Sequence, residues 1–260
     1  MRAPQRFADW LNGHCQVGKK FGRQYHYHSR SDVHSVALCE FIIQDILASS
    51  PVLGAQAKGG DVAFGVNVRH KWESSGKVKT LDLVVGIPSG GTIGIPGLAI
   101  ARAKSMERVL VCCEAKSVMT EHGKSQPRVF DELNSSHQMA HRGDDAVIAT
   151  GVTVVNIASS FVSPLRQTAT GELVVTPHKQ PHVTERMVEH LRGLGIRDGL
   201  RSEGFDAYCT IVVDCDNQVD HPVQLCTDLP APQSGDVDHY DTFLERIKQS
   251  YEERFSVLGT

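Results

Sequence analysis

The chain has 260 residues, of which 40% are apolar and 22% are charged, and its formal net charge is −3 at pH 7. A chain of this length can bury one large core without staples, so we expect a single domain spanning residues 1–260. The negative net charge argues against a protein whose whole surface binds a polyanion, and it leaves room only for a local basic cleft.

Neither membrane insertion nor secretion is indicated by the sequence. No apolar run approaches the roughly 18 residues that a membrane span needs. Residues 1–14 lack the apolar segment and the cleavage site of a secretion signal. The seven cysteines form no C-x-x-C pair, which predicts reduced thiols rather than a zinc site. We therefore expect a cytoplasmic protein that binds no membrane.

The first half of the chain predicts a helix followed by three strands. Ser31 or Asp32 can cap a helix to about residue 49, because apolar residues recur there at steps of three and four. Two β-rich runs, VAFGVNVRHKW and KVKTLDLVVG, flank the turn sequence ESSG and predict an antiparallel hairpin. The glycine-rich residues 86–97 predict a loop, and VLVCCEAK predicts a third strand.

The second half predicts further helices and strands around the same sheet. Pro127 is placed to open a helix that ends near His141, and AVIATGVTVVNIA is typical of a strand in the middle of a covered sheet. The later elements are predicted at residues 172–176 (hairpin or edge strand), 183–194 (helix), 207–215 (strand) and 240–255 (helix). We therefore predict an α/β (α+β) fold, with a central mixed β-sheet flanked by helices.

Two predicted strands each carry an isolated acid in an apolar run. Side chains alternate between the faces of a strand, so Glu114 and Lys116 share one face, and Asp82 stands alone in TLDLVVG. If these strands are neighbours, Asp82 and Glu114 converge beside Lys116. Two buried carboxylates repel each other unless a cation offsets them, and Mg²⁺ prefers one or two carboxylates together with waters and phosphate oxygens. The lysine could then orient an attacking water or stabilise negative charge on a phosphate.

Asp82 in TLDLVVG, followed by Glu114-Ala115-Lys116 in VLVCCEAKS, resembles the PD-(D/E)xK nuclease superfamily, which includes the type II restriction endonucleases. The resemblance covers roughly residues 31–157, and residues 158–260 would be a C-terminal extension of the same domain. It implies that Asp82 and Glu114 are metal ligands, that the Ala115 carbonyl is a possible third ligand, and that Lys116 is the catalytic base or charge stabiliser. It also offers Glu40, on the helix before the first strand, as a further catalytic acid.

The resemblance implies a Mg²⁺-dependent restriction or defence endonuclease, with Mn²⁺ as a possible substitute. Its substrate would be DNA, and double-stranded DNA is expected. Cutting both strands at a two-fold-symmetric site needs two active sites. A homodimer is therefore expected.

Candidate nucleic-acid contacts lie in two polar segments. After the third strand, Lys124 and Arg128 could meet phosphates, while His122, Asn134 and His137 could contact backbone or bases. Residues 18–30 interleave basic and aromatic side chains, a mixture that suits phosphate contact with stacking. The basic residues singled out there are Lys19, Lys20 and Arg23.

Other interpretations of the same residues remain open. Glu114 and Lys116 could be solvated charges of an edge strand, Asp82 could be a turn or cap residue, and residues 18–30 could be a solvated leader to the first helix. The main alternative function is a non-catalytic nucleic-acid-binding or assembly protein with a nuclease-like fold. A weaker one is a phosphatase-like hydrolase that uses Asp214 and Asp216, which we otherwise interpret as turn residues.

Overall fold

The structure is a computed structural model, and it describes residues 1–18, 21–72, 74 and 76–258. The helices are α1 (Ala3–Gly13), α2 (Val33–Ser49), α3 (Pro51–Gly59), α4 (His122–Gly143), α5 (His182–Arg192) and α6 (Tyr240–Phe255). The strands are β1 (Gln16–Val17), β2 (Gln24–Tyr25), β3 (Ala63–Lys71), β4 (Val78–Pro88), β5 (Thr92–Ile93), β6 (Arg102–Ala103), β7 (Met106–Val118), β8 (Ile148–Asn156), β9 (Ser160–Gln167), β10 (Leu173–Pro177), β11 (Ala207–Asp214) and β12 (Gln224–Cys226).

An eight-stranded mixed sheet forms the centre of the protein. Its strand order is β12-β11-β8-β7-β4-β3-β6-β5. The hairpin β3–β4 is antiparallel, and β4 is also antiparallel to β7, whereas β7, β8 and β11 run parallel. The predicted fold class, a mixed sheet flanked by helices, is confirmed. One sheet contains strands both from residues 31–157 and from the segment after residue 157.

Helices cover both faces of this sheet. On one face, apolar side chains of α1, α2 and α6 pack with Leu83, Val85 and Cys113. On the other face, α4 and α5 pack with Val84 and Cys112. Every residue of β8 is buried, as predicted for a strand in the middle of a covered sheet. No single helix in the described part of the chain is long and apolar enough to cross a membrane, and α2 with α3 passes that test only as a pair bent by 108°.

One helical prediction needs correction, and one helix was not predicted. The helix expected to open at Pro127 begins at His122, so the proline lies inside α4. Proline lacks an N–H and so makes no helical bond to the Gly123 carbonyl, but the helix is already started one turn earlier, where the N–H groups of Lys124 and Ser125 donate to the Glu121 carbonyl. The sequence interpretation also missed α1, which packs through Phe7 and Leu11 and is tied to α2 by an ion pair.

Candidate functional site

The strands β4 and β7 separate at the residues that the sequence singled out. The last paired residues are Leu83 of β4 and Cys113 of β7, and we call the point just beyond this pair the fork. Just before that point the alternation of β4 breaks, because Leu81 and Val84, three residues apart, both pack beneath α4. At the fork, Asp82 Oδ2 accepts the Ala115 N–H at 2.8 Å, so a carboxylate replaces the neighbouring strand as acceptor. The carbonyl of a strand residue leaves on the same side as its N–H, which places the Ala115 carbonyl on the Asp82 side of β7.

Two lysines contact Glu114, one at each oxygen of its carboxylate. Its side chain is only 8% exposed, Oε1 lies 2.7 Å from Lys116 Nζ, and Oε2 lies 2.8 Å from Lys79 Nζ. The Ser136 hydroxyl donates to Oε2 at 3.1 Å and accepts from Lys79 Nζ at 2.6 Å. Three elements, β4, β7 and α4, therefore meet at one buried carboxylate.

One face of α4 completes the charge cluster. Arg128, Glu132 and Ser136 follow one another at steps of four residues, so they lie on the same side of the helix. Glu132 Oε2 lies 3.2 Å from Lys116 Nζ, and its other oxygen lies 3.3 Å from Arg128. Lys116 thus bridges a buried and a half-buried carboxylate.

The acids of the cluster differ in their protonation. Burial, reinforced by the charge of Glu114, raises the pKa of Asp82 to about 6. Burial also opposes ionisation of Glu114, but the charges of Lys116 and Lys79 outweigh it and lower the pKa of that carboxyl. Burial would lower the pKa of Lys116, yet Glu114 and Glu132 raise it above its usual range. Lys116 is therefore an ammonium at neutral pH.

The donor set fits a hard divalent cation with few protein ligands. With Asp82 ionised, the three acids of the cluster are matched in number by Lys79, Lys116 and Arg128, and Asp82 is the acid that no described lysine or arginine contacts as an ion pair. Asp82 Oδ1 accepts no hydrogen bond from any residue that the structure describes, so it is available to a cation. The candidate ligands are Asp82, Glu114 and the Ala115 carbonyl, which matches the preference of Mg²⁺ for few carboxylates and several waters. No group of three or more His, Cys, Asp or Glu residues is arranged to hold a metal within the described ranges.

Replacing Asp82 with asparagine is expected to stabilise the metal-free protein at pH 8 by about 2 kcal/mol, because the raised pKa means that ionisation opposes folding. The amide oxygen can still accept the Ala115 N–H. Stability from this group is present below its unfolded pKa, near 3.8, and is lost as pH rises through about 6. Urea denaturation at pH 8 and at pH 3.5 measures the difference. Equal stability of variant and wild type at pH 8 would contradict the prediction.

A polar cleft opens beside Lys116. One cavity of about 310 Å³ lies between α2 and α4, and a second of about 210 Å³ continues towards β9. The two cavities share Tyr27, Ser29, Ser117, Met119 and Arg128, and we call this surface the serine cleft. Further serines, with Lys116 in the first cavity and Arg166 in the second, complete its lining. The cleft is rich in hydrogen-bond donors, and its three cations, Lys116, Arg128 and Arg166, outnumber by one the glutamates of its lining, Glu121 and Glu132, with which they pair.

The predicted nucleic-acid contacts are divided between the surface and the interior. Arg128 lines the serine cleft, and Lys124 is exposed at the start of α4. His122 and His137 are buried: the first contacts the Asn156 carbonyl through Nε2 at 2.7 Å, and the second packs against a phenylalanine ring. Neither ring presents an edge to solvent, which corrects the expectation that they contact nucleic acid.

The remaining predicted contacts lie elsewhere. Asn134 is half-buried and lies 2.8 Å from His137, so its amide already has a partner within the protein. Arg23 is exposed. Lys19 and Lys20 fall outside the described residues. These basic side chains remain predicted contacts.

Glu40 lies apart from the charge cluster. On α2 it pairs with Arg102 of β6 at 3.5 Å, and its side chain is 38% exposed. Among the described residues, no contact joins it to Asp82 or Glu114. Asp216, from the weaker hydrolase alternative, accepts the Gln218 N–H at 2.9 Å, which is the geometry of a turn residue.

The sequence interpretation missed Lys79, Glu132 and Ser136. Strict alternation along β4 would set Lys79 and Asp82 on opposite faces, and the break at the fork removes that rule. The two α4 residues carry a weak sequence signal, because they are four residues apart on one helix face.

The chain matches no protein-family model, no curated protein and no solved structure.

Proposed function

We propose that this protein is a divalent-metal-dependent endonuclease of the PD-(D/E)xK type that hydrolyses DNA phosphodiester bonds. The observation that carries the proposal is the meeting of Asp82, Glu114 and Lys116 at the fork between β4 and β7, beside the serine cleft. The acid-bearing helix α2 precedes these strands, and α4 and β8 follow them. The same order of elements, a helix before these strands and a helix and a strand after them, was predicted from the sequence.

Each residue of the site has a distinct role in this proposal. Asp82, Glu114 and the Ala115 carbonyl would hold Mg²⁺, with Mn²⁺ as a substitute. Bound there, the ion would supply a water of lowered pKa and polarise a phosphoryl oxygen. Lys116 is protonated at neutral pH because its carboxylate partners raise its pKa, so it donates to a phosphate oxygen and stabilises charge rather than acting as a base.

The serine cleft supports a nucleic-acid substrate. Hydroxyls and guanidinium groups are common donors to phosphate oxygens, and this lining begins at Lys116 and extends to Arg166. Both arginines of the cleft are more than half exposed, so they are free to exchange their glutamate partners for phosphates. A homodimer that cuts both strands, a role in restriction or defence, and a cytoplasmic location are further parts of the proposal.

Nicking of supercoiled plasmid DNA tests this function. We expect cleavage in Mg²⁺ or Mn²⁺ and none in EDTA. Lys116→Met should reduce the rate at least ~100-fold, since it removes a charge aimed at the developing phosphorane. Lys58→Met, on the exposed side of α3, is the matched control and should cleave like wild type. Cleavage that persists in EDTA, or that survives Lys116→Met, would contradict the proposal.

A non-catalytic nucleic-acid-binding protein is the second candidate, and one observation favours it. Both oxygens of Glu114 are already neutralised by lysines, so the network is closed without a metal. This candidate predicts DNA retardation in a gel with no cleavage in either metal.

A further inference from the structure

Lys79 and Ser136 form a second set of contacts to Glu114, separate from Lys116. The ammonium of Lys79 and the hydroxyl of Ser136 both contact Oε2, and they also hydrogen-bond to each other. Oε1 has a different partner, Lys116. The two oxygens of one carboxylate are thus assigned to two different groups of side chains.

Packing alone does not account for this arrangement. The Lys79 side chain is 18% exposed and that of Glu114 is 8% exposed, so both charges are largely withdrawn from water. Desolvating such a pair costs several kcal/mol, and apolar residues of similar volume often stabilise a core at least as well. Neighbouring positions under α4 are apolar, as Val84 and Cys112 show. Stability of the core therefore does not explain why Lys79 and Glu114 form a buried ion pair at this place.

We infer that Lys79 and Ser136 are positioning residues that reserve Oε2 of Glu114, so that a divalent cation meets only Oε1 together with Asp82. This inference rests on the proposed function and names two residues that the resemblance does not assign. Held in this way, Glu114 is a one-oxygen ligand, and Oε1 stays within reach of Lys116. The cation and Lys116 then share one oxygen, which keeps the ammonium beside the reacting phosphate.

Loss of the Lys79 ammonium has two opposite consequences. Metal binding becomes tighter, because a positive charge near the cation is removed and Glu114 can offer both oxygens. Cleavage becomes slower, because Glu114 is free to turn and Lys116 is then held only by the half-buried Glu132. A residue with a merely structural role would not separate these two quantities in opposite directions.

Calorimetric titration of the full chain with Ca²⁺, an ion that rarely supports this chemistry, measures the binding, and plasmid nicking in Mg²⁺ measures the rate. For Lys79→Met we expect the Ca²⁺ dissociation constant to fall at least ~3-fold and the nicking rate to fall at least ~10-fold. Ser136→Ala should shift both in the same directions by smaller factors. Lys79→Arg keeps the charge and should restore values near wild type. Lys71→Met, an exposed lysine on β3, is the matched control.

The outcomes separate this inference from the proposed function. Unchanged or weaker Ca²⁺ binding by Lys79→Met, with a wild-type melting curve, overturns the positioning role while leaving a cleaving wild type intact. A wild type that neither binds Ca²⁺ nor nicks DNA overturns the proposed function itself. If Lys79→Met does not fold, Ser136→Ala carries the test: tighter binding with slower nicking supports the inference, and any other pair of values overturns it.

Discussion

Replacing Glu114 with alanine is expected to lower the free energy of unfolding by about 3–5 kcal/mol and to abolish metal-dependent cleavage. The stability loss follows from the partners that remain. Lys79 and Lys116 are 18% and 24% exposed, and without the carboxylate their ammonium groups lie close together with little water to screen them. The loss of cleavage follows because the candidate site would lose a metal ligand and the partner of Lys116.

Urea denaturation at pH 7 measures the first effect, and plasmid nicking below the melting temperature measures the second. Glu114→Gln keeps an oxygen acceptor, so it should lose less stability while still failing to cleave DNA. Glu107→Ala, an exposed acid on the same strand, is the control and should change the unfolding free energy by less than about 0.5 kcal/mol. Full cleavage by folded Glu114→Gln would rule out a role for this carboxylate in metal binding.

Asp206→Ala is expected to destabilise the protein by about 3–5 kcal/mol without reference to any function. Asp206 is 2% exposed and contacts the guanidinium groups of Arg197 and Arg254, as well as the His141 ring. It also accepts the Ala149 N–H at 2.8 Å. Its removal leaves two arginines, one of them fully buried, without their shared counter-charge.

The pH dependence of this effect has a defined sign. Burial opposes ionisation, but hydrogen bonds from His141 and Arg254 outweigh it and lower the pKa of Asp206 to about 2. A lowered pKa contributes stability above the unfolded value, near 3.8, and that stability is lost as pH falls towards 2. Wild type and Asp206→Ala should therefore converge in acid, as measured by urea denaturation at pH 7, 4 and 2.5. Asp198→Ala, at an exposed position, is the control.

The elements that the sequence predicted well are those with a strong local pattern. The hairpin of β3 and β4 has two β-rich runs around a turn, β8 is rich in β-branched residues, and α6 has an apolar stripe at helical spacing. These patterns depend on burial of one or both faces, which local periodicity reports. The helix α1 was missed although Ala3, Phe7 and Leu11 recur at helical spacing, whereas the ion pair of Arg6 with Asp45 that joins it to α2 leaves no local pattern.

Only part of the candidate site could be predicted from the sequence. Glu114 and Lys116 could be placed on one face because β7 alternates regularly from Val111 onwards, beyond the irregularity between Val109 and Val111. Lys79 could not be placed, since its position depends on the break in β4 that precedes the fork. The burial of His137 was also hidden, because the ring packs against Phe205, which is distant in sequence. Contacts between remote segments are not encoded in the periodicity of either one.

Asp82 has two separate roles at the fork between β4 and β7. Its oxygen accepts the Ala115 N–H and so makes the last hydrogen bond between the two strands, and its charge belongs to the charge cluster. Asparagine can accept the hydrogen bond but carries no charge, whereas alanine can do neither. The strand pairing at residue 82 therefore tolerates asparagine and not alanine, so the two substitutions separate the structural role of this side chain from its charge.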